Sequence, residues 1–192
     1  MNRDQLKTHL RKLTLAAMFL ALGLVLPFVT GMIPTIGNML LPMHIPVFLC
    51  GLICGWHYGG AVGFLCPLLR YAIFSMPPMP QGIGMAFELA AYGLIVGLVY
   101  GLSKWKCVYS LYRAMIVAML GGRIIWAAAR IVMAGTTNVP FSWEIFVSSG
   151  FVTAIPGMIL QLVLIPVIMI ALDKAKLVPF SKAHPKHSKE QA

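Results

Sequence analysis

The stretch AMIVAMLGGRIIWAAARIVMAG, residues 114–135, decides how this chain is read. It is apolar and long enough to cross a bilayer, which takes about 20 such residues, yet it carries Arg123 and Arg130. A guanidinium at the bilayer centre costs roughly 2.5–3.5 kcal/mol on insertion scales. It persists there when it faces a protein interior, a partner or a ligand. Seven residues is nearly two helical turns, so both side chains leave the helix on the same side. Two like charges on one face at membrane depth predict a site for an anion.

The rest of the chain fits that setting. Of 192 residues, 59% are hydrophobic and 10% charged, against about 25% charged in a soluble domain. Apolar segments are expected near 13–30, 45–56, 59–75, 83–102, 109–134 and 145–172. They predict an all-α integral membrane protein, a compact six-helix transmembrane bundle. Residues 1–12 form a cytoplasmic N-terminal segment, 13–172 the membrane domain and 173–192 a basic cytoplasmic tail. The second and third segments are separated only by His57 and Tyr58, so five helices would also satisfy the pattern. The N-terminus resembles a signal peptide, but no small-residue cleavage site follows, and it is read as a retained helix.

The net charge of +10 does not imply nucleic acid. Arg3, Lys7, Arg11 and Lys12 precede the first helix, Lys104, Lys106 and Arg113 flank the fourth connection, and Lys174, Lys176, Lys182, Lys186 and Lys189 follow the last helix. The connections at 31–44, 76–82 and 135–144 contain no Lys or Arg. The positive-inside rule therefore places both termini in the cytoplasm. Gly93, Gly97 and Gly101, and Gly55, Gly59 and Gly63, recur every four residues, a spacing that lets helix backbones approach. Pro67, Pro156 and Pro166 are expected to kink their helices. Cys50, Cys54, Cys66 and Cys107 form no C-x-x-C pair and read as small buried residues. The apolar, Met- and Pro-rich connections at 31–44 and 76–82 read as a lid over the outer mouth.

Counting about 1.5 Å per residue from the helix ends puts Arg130, Glu88 and Arg70 in one outer-half layer, with Arg123 deeper. Three arginines against one glutamate leave two positive charges, and buried ions need partners. A carboxylate or phosphate would complete the site, since the guanidinium fork holds such groups with two hydrogen bonds. Alternatively, Arg70 snorkels to the interface and Arg123 bonds backbone carbonyls. His44, Gln81 and Asn138 are further polar candidates, and Tyr71, Tyr92 and Trp126 are candidate aromatic walls. Gln161 either joins the site or bonds a neighbouring helix. Ser148 and Ser149 have no base at matching depth. No Walker or dinucleotide motif is present, so if the protein drives transport with ATP, the ATPase with its Mg is another subunit, and no cofactor is expected in this chain.

The segment LLPMHIPVFLCGLICGWHYGGAVGFLCPLLRYAIFSMPPM, residues 40–79, and MAFELAAYGLIVGLVYG, residues 85–101, resemble the substrate-binding S components of energy-coupling factor (ECF) vitamin transporters. Ala17 and Ala21 match that family's A-x-x-x-A element on the first helix. The resemblance spans about residues 10–175. It implies a non-enzymatic transport subunit of the bacterial cytoplasmic membrane that captures a vitamin from outside. A transmembrane coupling subunit, contacted through Ala17 and Ala21, and two ATPases complete the importer. The arginine excess disfavours thiamine and riboflavin; a small pocket with one or two arginines and few aromatic stacking groups fits pantothenate best, with biotin, folate and pyridoxine as alternatives. Expected substrate contacts are Arg123, Arg130, Glu88, Arg70, Asn138, His44 and Trp126. A stand-alone small-solute transporter or channel, an intramembrane enzyme and a structural subunit are the other classes. The first would need a polar path to the inner face, where the helices hold few polar residues; the second lacks a credible nucleophile–base pair; in the third the arginines would serve partner contacts.

Overall fold

The computed structural model describes residues 3–31, 41–103, 105–137, 154–175 and 178. Among them are six helices and no strand: α1 (Arg3–Gly31), α2 (His44–Cys54), α3 (Trp56–Phe74), α4 (Met79–Leu102), α5 (Val108–Thr137) and α6 (Ile155–Lys174). Four stretches are long and apolar enough to cross a membrane: Arg3–Phe28, Gln81–Leu102, Val108–Met133 and Ile155–Lys174. The protein is an α-helical membrane protein. At 11 residues, α2 is about 16 Å long and too short to span alone.

Helix α1 begins ten residues before the expected start at Leu13. Arg, Lys, Leu and Gln are good helix formers, and a helix leaving the bilayer keeps its ladder in water. At the other end, α4 starts at Met79, inside the stretch read as a connection, so Gln81 is an exposed helical residue. Both changes come from treating the edge of an apolar run as the end of a helix.

The question of one helix or two at residues 45–75 is settled by Gly55, whose φ of 103° lies where residues with a Cβ are strained. The chain reverses there. A Cβ built on Gly59 would lie 2.6 Å from the Cα of Gly51, four residues on the other side of the turn, so α2 and α3 form an antiparallel hairpin. Across α3 and α4, Gly63 meets the Leu89 carbonyl, Gly59 meets Gly93, and Trp56 meets Gly97. One number falls as the other rises, so these helices are antiparallel, backbone against backbone. Across α2 and α4 the numbers rise together: His44 lies by Glu88 and Phe48 by Tyr92. These two helices are parallel.

Not every glycine of the repeat packs. A Cβ on Gly101 would meet open space, and Gly55 makes the turn. Pro67 and Pro166 lie inside α3 and α6, whereas Pro156 occupies the first turn of α6, where a missing N–H costs no ladder bond. Pro27, inside α1, was not expected as a helix-interior proline. Cys50, Cys54 and Cys66 are buried as expected, but Cys107 is exposed because it lies in the short connection between α4 and α5.

The core is built around α2. Val47, Phe48 and Cys50 are fully buried, together with Leu89, Val96, Leu111, Met115, Ile165 and Met169 from α4, α5 and α6. Helix α1 lies against α2 and α3 and leaves Leu10, Leu13, Met18, Leu22 and Val25 exposed. In a bilayer such a face meets lipid or another protein chain.

Candidate functional site

Helices α2, α4 and α5 bring His44, Glu88 and Arg123 together. The Nη1 of Arg123 lies 3.2 Å from Oε1 of Glu88, in ion-pair range though not aligned as a hydrogen bond. The Nε2 of His44 lies 3.8 Å from the same oxygen. All three side chains are more than nine-tenths buried. The ring of His44 stands edge-on to Tyr92 at 5.1 Å, and Tyr92 packs on Phe48 at the same distance. Tyr92 follows Glu88 by one turn, as Phe48 follows His44, so each helix presents one polar and one aromatic residue on the same face. Tyr92 was read only as a possible aromatic wall and Phe48 was missed. The signal that could have found both is this shared four-residue spacing.

Gly122 makes the approach of α5 possible. A Cβ there would lie 2.9 Å from the Tyr92 ring. Toward the C-terminal end of α5, Trp126 sits between the two guanidiniums, each 5.9 Å from its ring, a cation–π arrangement. The Arg130 side chain crosses toward Gly84 of α4, where an added Cβ would be 3.7 Å from Cδ of Arg130. Arg130 is only half-buried. The two arginines thus form a ladder against α4, spanning about 10 Å along the helix axis.

Arg123 and Glu88 were placed in different layers from the sequence. They pair because helix ends do not share one plane. Glu88 lies about 14 Å from the true start of α4 at Met79, deeper than a start near residue 83 implied. Arg70 is a second correction. It does not join the cluster: its Nη1 donates to the Leu24 carbonyl of α1 at 3.0 Å, and its guanidinium covers Phe28 at 4.8 Å. Phe28 in turn meets Phe74 edge-on. This is the backbone-carbonyl alternative, fulfilled by a different arginine. Tyr71 is half-buried. Asn138, the lid reading of 31–44 (save residues 31 and 41–44), Ser148 and Ser149 lie outside the described residues.

The cluster has spare hydrogen-bonding capacity. Buried Nε and Nη2 of Arg123, and both ring nitrogens of His44, have no hydrogen-bond partner among the described residues. Gln161, fully buried on α6, leaves its Nε2 likewise unmatched among the described residues. Most buried polar groups in proteins are satisfied, and the unmatched nitrogens of Arg123 and His44 leave hydrogen-bonding capacity beside one buried ion pair. The first turn of α2 points its N–H end at this region, which adds a partial positive charge. No group of three or more His, Cys, Asp or Glu suited to a metal occurs among the described residues.

The family of substrate-specific components of ECF transporters has a model that matches residues 11–169, most of the chain. The chain belongs to that family. No curated protein and no solved structure matches it. S components bind a small-molecule substrate and work with a transmembrane coupling subunit and ATPases, so the buried His44–Glu88–Arg123 cluster lies in a protein whose task is to hold a small molecule. Ala17 and Ala21 of this S component are exposed on α1, on the side that α2 and α3 leave open.

Proposed function

We propose that this S component captures a small anionic vitamin, pantothenate, from outside the cell and delivers it inward through a coupling subunit and two ATPases. One observation carries the reading: Arg123 is paired with Glu88, yet its Nε and Nη2 stay unmatched, and Arg130 stands two turns outward as a further cation. With Arg70 engaged elsewhere, the excess near the site is one positive charge. That matches a monocarboxylate better than a dianion such as folate, and better than cationic thiamine. The family supplies the transport role, and the charges supply the sign of the ligand.

The family supports the bacterial cytoplasmic membrane, and the distribution of Lys and Arg supports both termini in the cytoplasm. Catalysis of ATP hydrolysis, with its Mg, belongs to the partner subunits, and this chain works without a cofactor of its own. Ala17 and Ala21 form the contact with the coupling subunit, where small exposed side chains allow close helix approach. Native mass spectrometry of the protein purified from its host tests the reading. A retained mass equal to pantothenate supports it, and a retained neutral or cationic vitamin contradicts it.

A further inference from the structure

The two arginines are not equivalent. Arg123 lies 3.2 Å from the buried Glu88 carboxylate, so the deep cluster of His44, Glu88 and Arg123 carries no net charge with the imidazole neutral. It nevertheless holds donors without acceptors: Nε and Nη2 of Arg123 and one ring nitrogen of His44. Glu88 Oε1 also lacks an aligned donor. A neutral cluster rich in unmatched donors and acceptors suits hydroxyl, carbonyl or amide groups, which both give and take hydrogen bonds. A second carboxylate brought there would sit against Glu88 and be repelled.

Arg130 has the opposite character. Among the described residues it makes no ion pair, and its recorded partner is the Trp126 ring. It is half-buried, so its charge is only partly solvated. It lies about 10 Å outward from Arg123 along α5, on the same face, with Trp126 forming the wall between them.

Resting on the anion-site reading above, we infer that the site fixes the direction of its ligand. The carboxylate sits outward on Arg130, and the neutral hydrogen-bonding end sits inward on Arg123, Glu88 and His44. The substrate class is an extended monocarboxylate with a hydroxyl- or amide-bearing end about 10 Å from the carboxylate. Arg130 selects for charge, and the deep cluster selects for polar, uncharged groups. The carboxylate end therefore enters last and faces the outer surface in the loaded protein.

The test is a comparison of pantothenate with its alcohol analogue, in which the carboxylate is reduced to a hydroxymethyl group. Affinities are measured by titration calorimetry on purified full-length wild type, Arg130→Gln and the paired variant Glu88→Gln/Arg123→Met. The paired variant removes both buried charges together, so neither is stranded. Wild type should prefer the acid by about 10- to 100-fold, the worth of one charge-assisted contact. Arg130→Gln should erase that preference while changing affinity for the alcohol less than about threefold. The paired variant should weaken both ligands by a similar factor and keep the preference. Preference lost in the paired variant but kept in Arg130→Gln would overturn the assignment while leaving the anion site intact. Wild type that binds acid and alcohol equally would overturn the anion site itself, and the assignment with it. Should Arg130→Gln fail to purify as a single folded species, Arg130→Lys serves: it keeps the charge without the fork, and should retain the preference in reduced form.

Discussion

At the scale of single residues, the protein uses three buried or half-buried arginines for two purposes. Arg123 and Arg130 line the proposed site, while Arg70 ties α1 to α3 by donating to the Leu24 carbonyl. Arg70→Met should therefore change ligand affinity less than about twofold yet lower stability by roughly 1 kcal/mol, the worth of one such bond, read as a lower thermal midpoint in detergent. Glu88→Ala should do more damage, because it leaves Arg123 buried without its counter-charge, a loss of about 3–5 kcal/mol. The sequence made the existence of a charged site legible, since an arginine inside an apolar run needs a reason to be there. It did not make the partners legible. Arg70 and Arg123 have the same chemistry and similar surroundings in one dimension, and only the packing of α1 against α3 decides which finds a carbonyl. The pairing of Glu88 with Arg123 was hidden because depth counted from a helix end is only as good as the end, and α4 began four residues early.

At the scale of helices, glycine spacing carried true information with two exceptions. Gly59, Gly63, Gly93 and Gly97 place the α3 and α4 backbones in contact, while Gly101 faces open space and Gly55 turns the chain. The contrast yields a matched pair of variants. Gly93→Leu must push α3 away from α4 and should cost about 1–3 kcal/mol or more through overpacking. Gly101→Ala meets nothing and should be neutral or slightly stabilising, since alanine is the better helix former. Thermal unfolding of the two proteins side by side checks this. Apolar length located the six helices among the described residues, though α6 starts at Ile155 and not near 145, and the break between α2 and α3 rests on one backbone angle at Gly55, which no apolar pattern encodes. The boundary errors at α1 and α4 share a cause, for helices continue wherever their hydrogen bonds are satisfied, in lipid or out of it.

At the scale of the whole molecule, α2, α4 and α5 hold the candidate site and α3 packs between α1 and α4, while α1 stands at the side with an apolar face turned outward. That division suits an S component, which must hold a ligand and also dock on a partner. Ala17 and Ala21 lie on the exposed side of α1, a helix that supplies none of His44, Glu88 and Arg123. Replacing Ala17 with Trp should abolish co-purification with the coupling subunit and leave ligand affinity within about twofold, because the bulk is added at a close helix contact and not in the site. The most direct measurement of the central claim is a calorimetric titration of the purified wild-type chain, and of Arg123→Ala, with pantothenate and with thiamine. The account predicts saturable binding of pantothenate by the wild type, little or none of thiamine, and a loss of at least about tenfold in Arg123→Ala, the least that losing a charged contact costs. Equal binding of the two vitamins, or unchanged pantothenate affinity in a folded Arg123→Ala, would contradict it.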